Sequence, residues 1–255
     1  MKALITGASS GLGRDMARVM SERGYDIIAV ARRSDRLEEL KAELKTDVEV
    51  ITCDVTDYKA CKMLAERADE VDVFINNAGF GVFGAFCEND LERELKMLDT
   101  NVLAMHVLLR FFAEKFRERN SGYILNVASL AAFFPGPLFG AYYASKAYVL
   151  RLSQALAEEL RQEGSDVSIS VLCPGPVHTE FGSVARVNFG KPNNGITLNC
   201  AEVAEYAIRK MFDGKSVIIP GKLMKIAAFL RRLLPDKLLA KIAYTIQFNK
   251  CTIKP

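Results

Sequence analysis

The sequence has no tryptophan, only two histidines, and six cysteines that are scattered without a CxxC pair. This spacing argues against a metal site and predicts free thiols, as expected in a reducing cytoplasm. No apolar run approaches the ~20 residues that span a bilayer, and no signal-peptide pattern precedes the first predicted strand. The net charge of +3 is too small to indicate a nucleic-acid partner. We therefore expect a cytoplasmic globular protein.

The residues that are present form an ordinary globular mixture, 50% hydrophobic and 25% charged, which predicts one domain over residues 1–255. Short apolar runs alternate with helical patterns, and this alternation predicts an α/β fold. The expected architecture is a doubly wound, largely parallel sheet with helices on both faces. Strands are predicted at residues 2–6, 26–31, 48–52, 71–76, 123–127, 167–172 and 216–219.

Two segments between these strands are unusual. The helical stretch 88–119 is expected to break near Asn101, because asparagine competes for backbone hydrogen bonds. Residues 178–200 have little periodicity, and a segment of this length inside a compact domain is usually a lid or a binding loop.

A glycine-rich turn follows the first strand and opens a helix. Glycines at 7, 11 and 13 let the backbone approach a pyrophosphate, and the amides of a helix N-terminus face such an anion. The spacing is GxxxGxG rather than the commoner GxGxxG. The alternative is a tight strand-to-helix turn without a ligand.

The end of the second strand bears on cofactor choice. An acidic residue there would bind the ribose 2′-hydroxyl of NAD, whereas this chain has Ala31, Arg32 and Arg33. The planar guanidinium suits a 2′-phosphate, so the pair predicts NADP; the alternative is two solvated loop arginines. Asp54, after the third strand, could meet the adenine amino group or cap the helix that begins near Asp57.

Tyr142 and Lys146 lie one helical turn apart in a helix predicted to run through residue 160. An ammonium beside a phenol favours phenolate and lowers the tyrosine pKa from about 10. The phenol could then exchange a proton near neutral pH. The alternative is a solvated helix face, but Ser129 and Asn101 upstream favour the catalytic interpretation.

Taken together, these motifs resemble the short-chain dehydrogenase/reductase family over nearly the whole chain, and the resemblance implies a Rossmann-type fold. Tyr143 is a rival tyrosine, but its partner four residues on is Ala147, which favours Tyr142. The matching pieces, in order, are Thr6-Gly7-xxx-Gly11-x-Gly13, Asn76-Asn77-Ala78-Gly79, Asn101, Ser129, Tyr142-xxx-Lys146 and Pro174-Gly175.

The resemblance implies hydride transfer between a nicotinamide and a secondary alcohol or ketone. Tyr142 would donate the proton, Lys146 would lower its pKa and hold the ribose, and Ser129 would bind the carbonyl oxygen. Asn101 would hold a relay water behind Lys146. The implied cofactor residues are Gly7, Ser9, Ser10, Gly11, Leu12, Gly13, Arg32, Arg33, Asp54, Val55, Asn77, Ala78, Gly79, Tyr142, Lys146, Pro174, Gly175, Val177 and Thr179, the last two at the carboxamide.

An NADP(H)-dependent enzyme acting on an apolar substrate such as a hydroxysteroid is the leading hypothesis. Its alternatives are a 3-oxoacyl-thioester reductase and a non-catalytic dinucleotide-sensing scaffold, and the scaffold is disfavoured because Ser129, Tyr142 and Lys146 occur together. In the family that the chain resembles, the helices around 101–119 and 142–160 commonly pair across a two-fold axis, so the resemblance implies a homodimer or homotetramer. The aromatic side chains expected to line an apolar cleft are Phe80, Phe83, Phe133, Phe134, Phe139, Tyr148 and Phe181.

Residues 222–255 are predicted to form a helical C-terminal extension, with two helices divided at Pro235. Positive charges accompany its apolar face, so it could cover the substrate cleft, form a dimer contact, or lie on an anionic membrane. The predicted apolar face consists of Ile226, Phe229, Leu230, Leu233 and Leu234.

Overall fold

A computed structural model describes residues 1–187 and 197–248. Its centre is a seven-stranded sheet in the order β3-β2-β1-β4-β5-β6-β7, and every neighbouring pair of strands is parallel. The order reverses between β1 and β4, which is where open α/β sheets bind ligands. The strands are β1 (Lys2–Thr6), β2 (Asp26–Ala31), β3 (Val48–Thr52), β4 (Val73–Asn76), β5 (Tyr123–Val127), β6 (Ser168–Leu172) and β7 (Val217–Ile218).

Helices cover both faces of the sheet, so the doubly wound, Rossmann-type architecture is confirmed. One face packs on α1, α2 and α8, and the other packs on α3, α5 and α6. The helices are α1 (Gly11–Glu22), α2 (Ser34–Glu43), α3 (Tyr58–Ala65), α4 (Leu91–Leu98), α5 (Met105–Glu118), α6 (Gly140–Gln162), α7 (Phe181–Ala185), α8 (Cys200–Phe212), α9 (Lys222–Leu230) and α10 (Asp236–Phe248).

The two faces explain why the strands are apolar without alternation. In β1, Ala3 and Ile5 belong to the core on one face, whereas Leu4 belongs to the core on the other. Successive side chains point to opposite faces of a strand, so a strand buried on both sides needs apolar residues at every position. On the second face, the ring of Phe74 stacks on that of Phe112 with centroids 3.9 Å apart.

The predicted break near Asn101 is present as a change of helix type. Helices α4 and α5 are joined by a π-helical segment, Asp99–Ala104, in which Asn101 is buried. Such segments interrupt the regular hydrogen-bond ladder and frequently accompany functional sites. The segment 178–200 contains the short helix α7, and Val177 pairs with Leu198 in an isolated bridge; residues 188–196 of the predicted lid lie outside the described residues.

The C-terminal extension forms two helices, as predicted. A 3-10 turn, Arg231–Leu233, and Pro235 separate α9 from α10, and residues 249–255 lie outside the described part of the chain. Within the described ranges, every helix is too short or too polar to cross a membrane.

Candidate active site

A single cavity of about 800 Å³ runs from the turn after β1 to the C-terminal helices. It lies at the carboxyl ends of the strands, around the reversal of strand order. All but two of the residues predicted to act in catalysis or cofactor binding line it. The exceptions, Gly13 and Asn101, lie directly behind the lining. Sequence spacing therefore identified most of one wall of this cavity.

The glycine-rich turn forms a backbone cradle at one end of the cavity. Gly7 and Gly11 have φ angles of +69° and +54°, a region that side chains disfavour. A Cβ on Gly13 would lie 2.3 Å from the Gly7 carbonyl oxygen, so α1 can approach the turn only with glycine there. The cap residue Ser10 makes no side-chain bond to α1, and no acidic residue lies in its first turn. The positive N-terminal end of α1 thus fits an anion such as a pyrophosphate.

Asn77 ties this turn to the end of β4. Its side-chain amide donates to the Thr6 carbonyl at 2.9 Å and to the Gly7 carbonyl at 3.3 Å. In return, Thr6 Oγ1 accepts the backbone amides of Asn77 and Ala78 at 2.9 and 3.1 Å. The Asn-Asn-Ala-Gly motif therefore fixes the two strands on either side of the reversal, as well as lining the cavity.

Asn101 holds the other side of the same motif. Its Oδ1 accepts the Phe80 amide at 3.0 Å, and its Nδ2 donates to the Phe80 carbonyl at 2.8 Å and to Ser145 Oγ at 3.2 Å. A Cβ on Gly79 would lie 2.8 Å from Asn101 Oδ1 and 3.3 Å from Lys146 Nζ. The π-helical segment thus places Asn101 beside Lys146, with its amide bonded to protein groups.

Helix α6 carries Tyr142 and Lys146, and the turn that follows β5 carries Ser129. All three side chains lie on one wall of the cavity. Lys146 Nζ donates to the Val127 carbonyl at 2.9 Å and lies 5.8 Å from the centre of the Tyr142 ring. Ser129 Oγ accepts the Ala131 amide at 3.1 Å and also hydrogen-bonds the Tyr142 phenol. The three side chains form one polar patch in an otherwise apolar region.

The prediction that Lys146 lowers the pKa of Tyr142 is wrong when only the groups of this chain are present. Burial raises the pKa of Tyr142 above its ordinary value, and the hydrogen bond from Ser129 only partly offsets this. Burial also lowers the pKa of Lys146 to about 8. The spacing of Tyr142 and Lys146 indicates the effect of the lysine charge on the tyrosine, but it does not reveal the desolvation of the two side chains, which is the larger effect. Tyr142 therefore remains a protonated phenol, a proton donor, at neutral pH.

Arg32 and Arg33 both line the cavity, and each meets a carboxylate. Arg33 bonds Ser9 Oγ through Nε and Nη2 at 3.3 and 3.2 Å, and its Nη1 lies 3.0 Å from Glu180. Arg32 Nη1 lies 3.6 Å from Asp54. Arg33 holds the pKa of Glu180 below its ordinary value. A phosphate in this region would have to compete with two carboxylates for the guanidinium groups.

Asp54 does not cap the next helix, so that alternative is wrong. Its Oδ1 accepts the Thr56 amide and hydroxyl at 3.0 and 2.9 Å, and Asp57 is the residue that caps α3. The aspartate shapes the turn after β3 and lines the cavity beside Arg32.

The far end of the cavity is apolar, and four of the seven expected aromatic side chains line it. These are Phe80, Phe134, Phe139 and Phe181. Phe139 stacks on Tyr142 with ring centroids 4.5 Å apart.

The prediction for the other three aromatic residues is wrong. Phe83 packs behind Phe139, the Phe133 ring meets the guanidinium of Arg231, and Tyr148 is exposed and hydrogen-bonded to His106. Their apolar character alone did not reveal which direction they would face.

The C-terminal helices cover this end, but not through the predicted face. The five residues of that face are exposed to solvent. The residues that cover the cavity are instead Leu223, Met224, Ala227, Leu239, Ile242, Ala243, Ile246 and Gln247. The four-residue spacing of Leu239, Ala243 and Gln247 is the sequence signal that could have identified the inner stripe of α10.

Gln247 is the functional candidate that sequence reasoning missed. Its Nε2 donates to the Tyr143 hydroxyl at 2.5 Å, while its Oε1 is buried without a hydrogen-bond partner among the described residues. Tyr143, the alternative catalytic tyrosine, is therefore hydrogen-bonded to α10, the helix that covers the cavity. Buried polar groups without partners are rare in proteins. Gln247 Oε1 is therefore a candidate hydrogen-bond acceptor for a ligand in the otherwise apolar end of the cavity.

Comparisons with known proteins identify relatives of this chain. The family model of the short chain dehydrogenases matches residues 1–188. A short-chain dehydrogenase from Sphingobium yanoikuyae, solved in complex with NADPH, is 30% identical, with a TM-score of 0.81 and 91% of each chain covered.

Two further solved structures are similar. A short-chain dehydrogenase/reductase from Burkholderia phymatum in complex with NAD is 25% identical, with a TM-score of 0.80, covering 99% of this chain and 96% of its own. A bulky-bulky ketone specific alcohol dehydrogenase from Comamonas testosteroni is 28% identical, with a TM-score of 0.77 and 91% of each chain covered. One of these three structures was solved with NADPH and another with NAD, so the comparisons support a nicotinamide dinucleotide without selecting one kind.

Proposed function

The chain belongs to the short chain dehydrogenase family, and on that premise we propose that it transfers a hydride between NADP(H) and a bulky apolar ketone or secondary alcohol. The observation that carries the proposal is the convergence of Ser129, Tyr142 and Lys146 on one wall of a largely apolar cavity. The protein is an oxidoreductase acting on alcohol or ketone groups; the substrate and the preference for NADP are the proposal.

In the reduction direction, the protonated phenol of Tyr142 donates its proton to the oxygen that becomes an alkoxide. The raised pKa of this phenol keeps the proton in place at neutral pH. Ser129 Oγ accepts a backbone amide, and its own proton, which bonds the Tyr142 phenol, would turn to the substrate oxygen, where negative charge develops. The two hydroxyl groups thereby orient the carbonyl and stabilise the transition state.

Lys146 supplies positive charge next to the developing alkoxide and its donor. With a pKa of about 8, its ammonium is mostly protonated at pH 7. Asn101 acts as a positioning residue, because its amide holds Phe80 and Ser145 around Lys146; the relay water expected there remains a prediction.

The residues at the other end of the cavity suit a dinucleotide. The glycine cradle and the start of α1 fit its pyrophosphate, and Val177 and Thr179, which also line the cavity, fit the carboxamide. When bound, the nicotinamide supplies the hydride. Arg32 and Arg33 support the choice of NADP, since both line the cavity and a guanidinium suits a 2′-phosphate, which would have to displace Asp54 and Glu180 from them.

The apolar end supports a bulky substrate. The cavity of about 800 Å³ would have to hold both the dinucleotide and the ketone, and the side chains that line its apolar end, among them Phe134, Phe139 and Phe181, favour an apolar ketone. A hydroxysteroid is our leading candidate. A 3-oxoacyl thioester is the second candidate, favoured by the cations of α9 and α10, the helices that cover the apolar end.

Self-association into a homodimer or homotetramer is also part of the proposal. Exposed apolar side chains on α4, the π-helical segment and α6 support it: Leu91, Leu95, Leu103 and Tyr148.

The test is a panel of steroid ketones, bulky aryl ketones and 3-oxoacyl thioesters, assayed by NADPH oxidation with identification of the alcohol product. We expect the bulky apolar ketones to give the highest kcat/KM. Preference for the thioesters would select the second candidate, and cofactor binding without reduction of any ketone would contradict the proposal.

A further inference from the structure

The C-terminal helices carry a large exposed apolar surface, and most of its side chains do not line the cavity. Eleven of the twenty exposed large apolar side chains in the described residues lie between Leu223 and Phe248. We name these exposed side chains of α9, α10 and their connecting turn the C-terminal apolar surface; Ile226, Phe229, Leu233, Leu238, Ile242 and Ile246 represent it. Exposed apolar patches on monomeric proteins are usually small, and a larger one marks an interaction site.

The pattern along α10 shows that covering the cavity does not explain this surface. Leu239, Ala243 and Gln247 form the inner stripe and line the cavity. Leu238, Tyr244 and Phe248 of the same helix do not line it, and these are 43%, 47% and 43% exposed. A helix that only covered a cavity would need one apolar stripe and would be polar opposite to it.

The charge of the same segment is strongly positive. Residues 222–248 contain six cations (Lys222, Lys225, Arg231, Arg232, Lys237 and Lys241) and one acid, Asp236, so six minus one gives +5. The whole chain has a net charge of only +3, so the rest of it is acidic overall. Within the described residues, none of the six forms an ion pair.

We propose that the C-terminal apolar surface docks on an anionic lipid bilayer, lying in the interface rather than crossing it. Apolar side chains inserted among the lipid tails and cations beside the headgroups are what an interfacial helix requires. A second copy of this chain fits less well, because a two-fold contact would bring the same unpaired cations together. Charge complementarity thus selects the bilayer as the partner.

The docked orientation would place the cavity mouth at the membrane. Ile242 and Ile246 belong to both features, since they line the cavity and are also exposed. An apolar ketone dissolved in the bilayer could then enter the cavity without passing through water. This delivery step rests on the proposed function; the docking itself does not.

The test of docking is flotation of the full chain with vesicles of phosphatidylglycerol and phosphatidylcholine, compared with phosphatidylcholine alone. We expect binding to the anionic vesicles that weakens with salt. Phe229→Ser with Leu233→Ser should reduce binding roughly tenfold for each side chain. The matched control is Phe86→Ser with Met63→Ser, which changes an exposed phenylalanine and an exposed methionine elsewhere and should bind like the unmodified chain.

The charge contribution has its own pair of variants. Arg232→Gln with Lys237→Gln should lower binding about fivefold for each cation, or about twenty-five-fold together. Arg151→Gln with Lys59→Gln removes one exposed arginine and one exposed lysine elsewhere and should have little effect. No vesicle binding, or equal loss in the variants and their controls, would overturn the proposal. The proposal would also be overturned if the unmodified chain formed an oligomer that the Phe229→Ser and Leu233→Ser double variant dissociated. In that case a second copy of the chain would cover the surface.

Docking and reaction can be separated. Tyr142→Phe should lose ketone reduction and still float with anionic vesicles. The Phe229→Ser and Leu233→Ser double variant should reduce a water-soluble short ketone normally, yet lose at least tenfold in kcat/KM for a steroid ketone supplied in anionic vesicles. Unchanged kcat/KM for the vesicle-borne ketone would overturn the delivery step.

Discussion

Replacement of Lys146 by methionine should stabilise the protein while removing its activity. The ammonium is 95% buried, since Lys146 is only 5% exposed, and the hydrogen bond to the Val127 carbonyl is its only one among the described residues. Burial lowers the pKa of Lys146 from 10.5 to about 8. At pH 7 the charge therefore costs the folded chain about 3 kcal/mol. Methionine has a similar length, carries no charge and suits a buried position.

The substitution also leaves the Val127 carbonyl without its lysine partner, which costs about 1–2 kcal/mol. The net expectation is a gain of about 1–2 kcal/mol in the free energy of unfolding. For a chain of this size, that corresponds to a Tm higher by about 5 °C. Activity should be lost, because the positive charge near the substrate oxygen is lost.

The pH dependence distinguishes this cause from other effects of the substitution. Between pH 8 and 10.5 the folded chain binds fewer protons than the unfolded chain, so the unmodified protein gains stability as pH rises. The destabilisation by Lys146 is complete below pH 8 and disappears near pH 10.5. The difference between variant and parent should thus be largest at pH 7 and should shrink towards pH 10.

The assay is thermal and urea unfolding of both proteins at pH 7 and pH 10, with the exposed Lys59→Met as control. A variant that is less stable than its parent at pH 7 would refute the reasoning. So would a difference in stability that is the same at both pH values.

Three further outcomes follow from the site. Arg32→Ala and Arg33→Ala should each lower the ratio of kcat/KM for NADPH to that for NADH by about ten- to a hundredfold, and an unchanged ratio would return them to the solvated-loop interpretation. Gln247→Leu should raise KM for a bulky ketone several-fold without changing NADPH affinity, because it unties α10 from Tyr143; no further change on adding Tyr143→Phe would confirm that the two act together. The kcat for reduction should fall above about pH 8 as Lys146 loses its proton, and a rate that is flat from pH 6 to 10 would contradict this role.

The sheet and the polar wall could be predicted from sequence because both depend on local patterns. The bounds of β1, β2, β3 and β5 match their predicted runs. Of these, β1, β2 and β5 are buried on both faces and therefore largely apolar, whereas β3 is a partly exposed edge strand. The glycine turn and the pair Tyr142 and Lys146 depend on spacings within one turn or one helix. Parallel topology then brings them together at the carboxyl edge of the sheet.

The remaining features depend on contacts between distant segments. Tyr142 packs against Phe139 and Phe181. Lys146 lies against Val127 and Gly79. Their burial therefore depends on distant segments, so the direction of the tyrosine pKa was not accessible from spacing. The ion pair between Arg33 and Glu180 joins residues 147 positions apart. Which side of α10 faces the cavity was ambiguous, because Leu238, Tyr244 and Phe248, which do not line it, are as apolar as the residues that do.

The most direct test of the central claim is deuteride transfer from 4-deuterated NADPH to a bulky ketone, with Tyr142→Phe compared with Tyr143→Phe. Mass spectrometry of the alcohol should find one deuterium on the carbinol carbon for the unmodified protein. We expect Tyr142→Phe to bind NADPH normally but to lose at least a thousandfold in kcat, whereas Tyr143→Phe should keep most of it. Substantial deuterated alcohol from Tyr142→Phe, or its loss only in Tyr143→Phe, would contradict the assignment of Tyr142 as the proton donor.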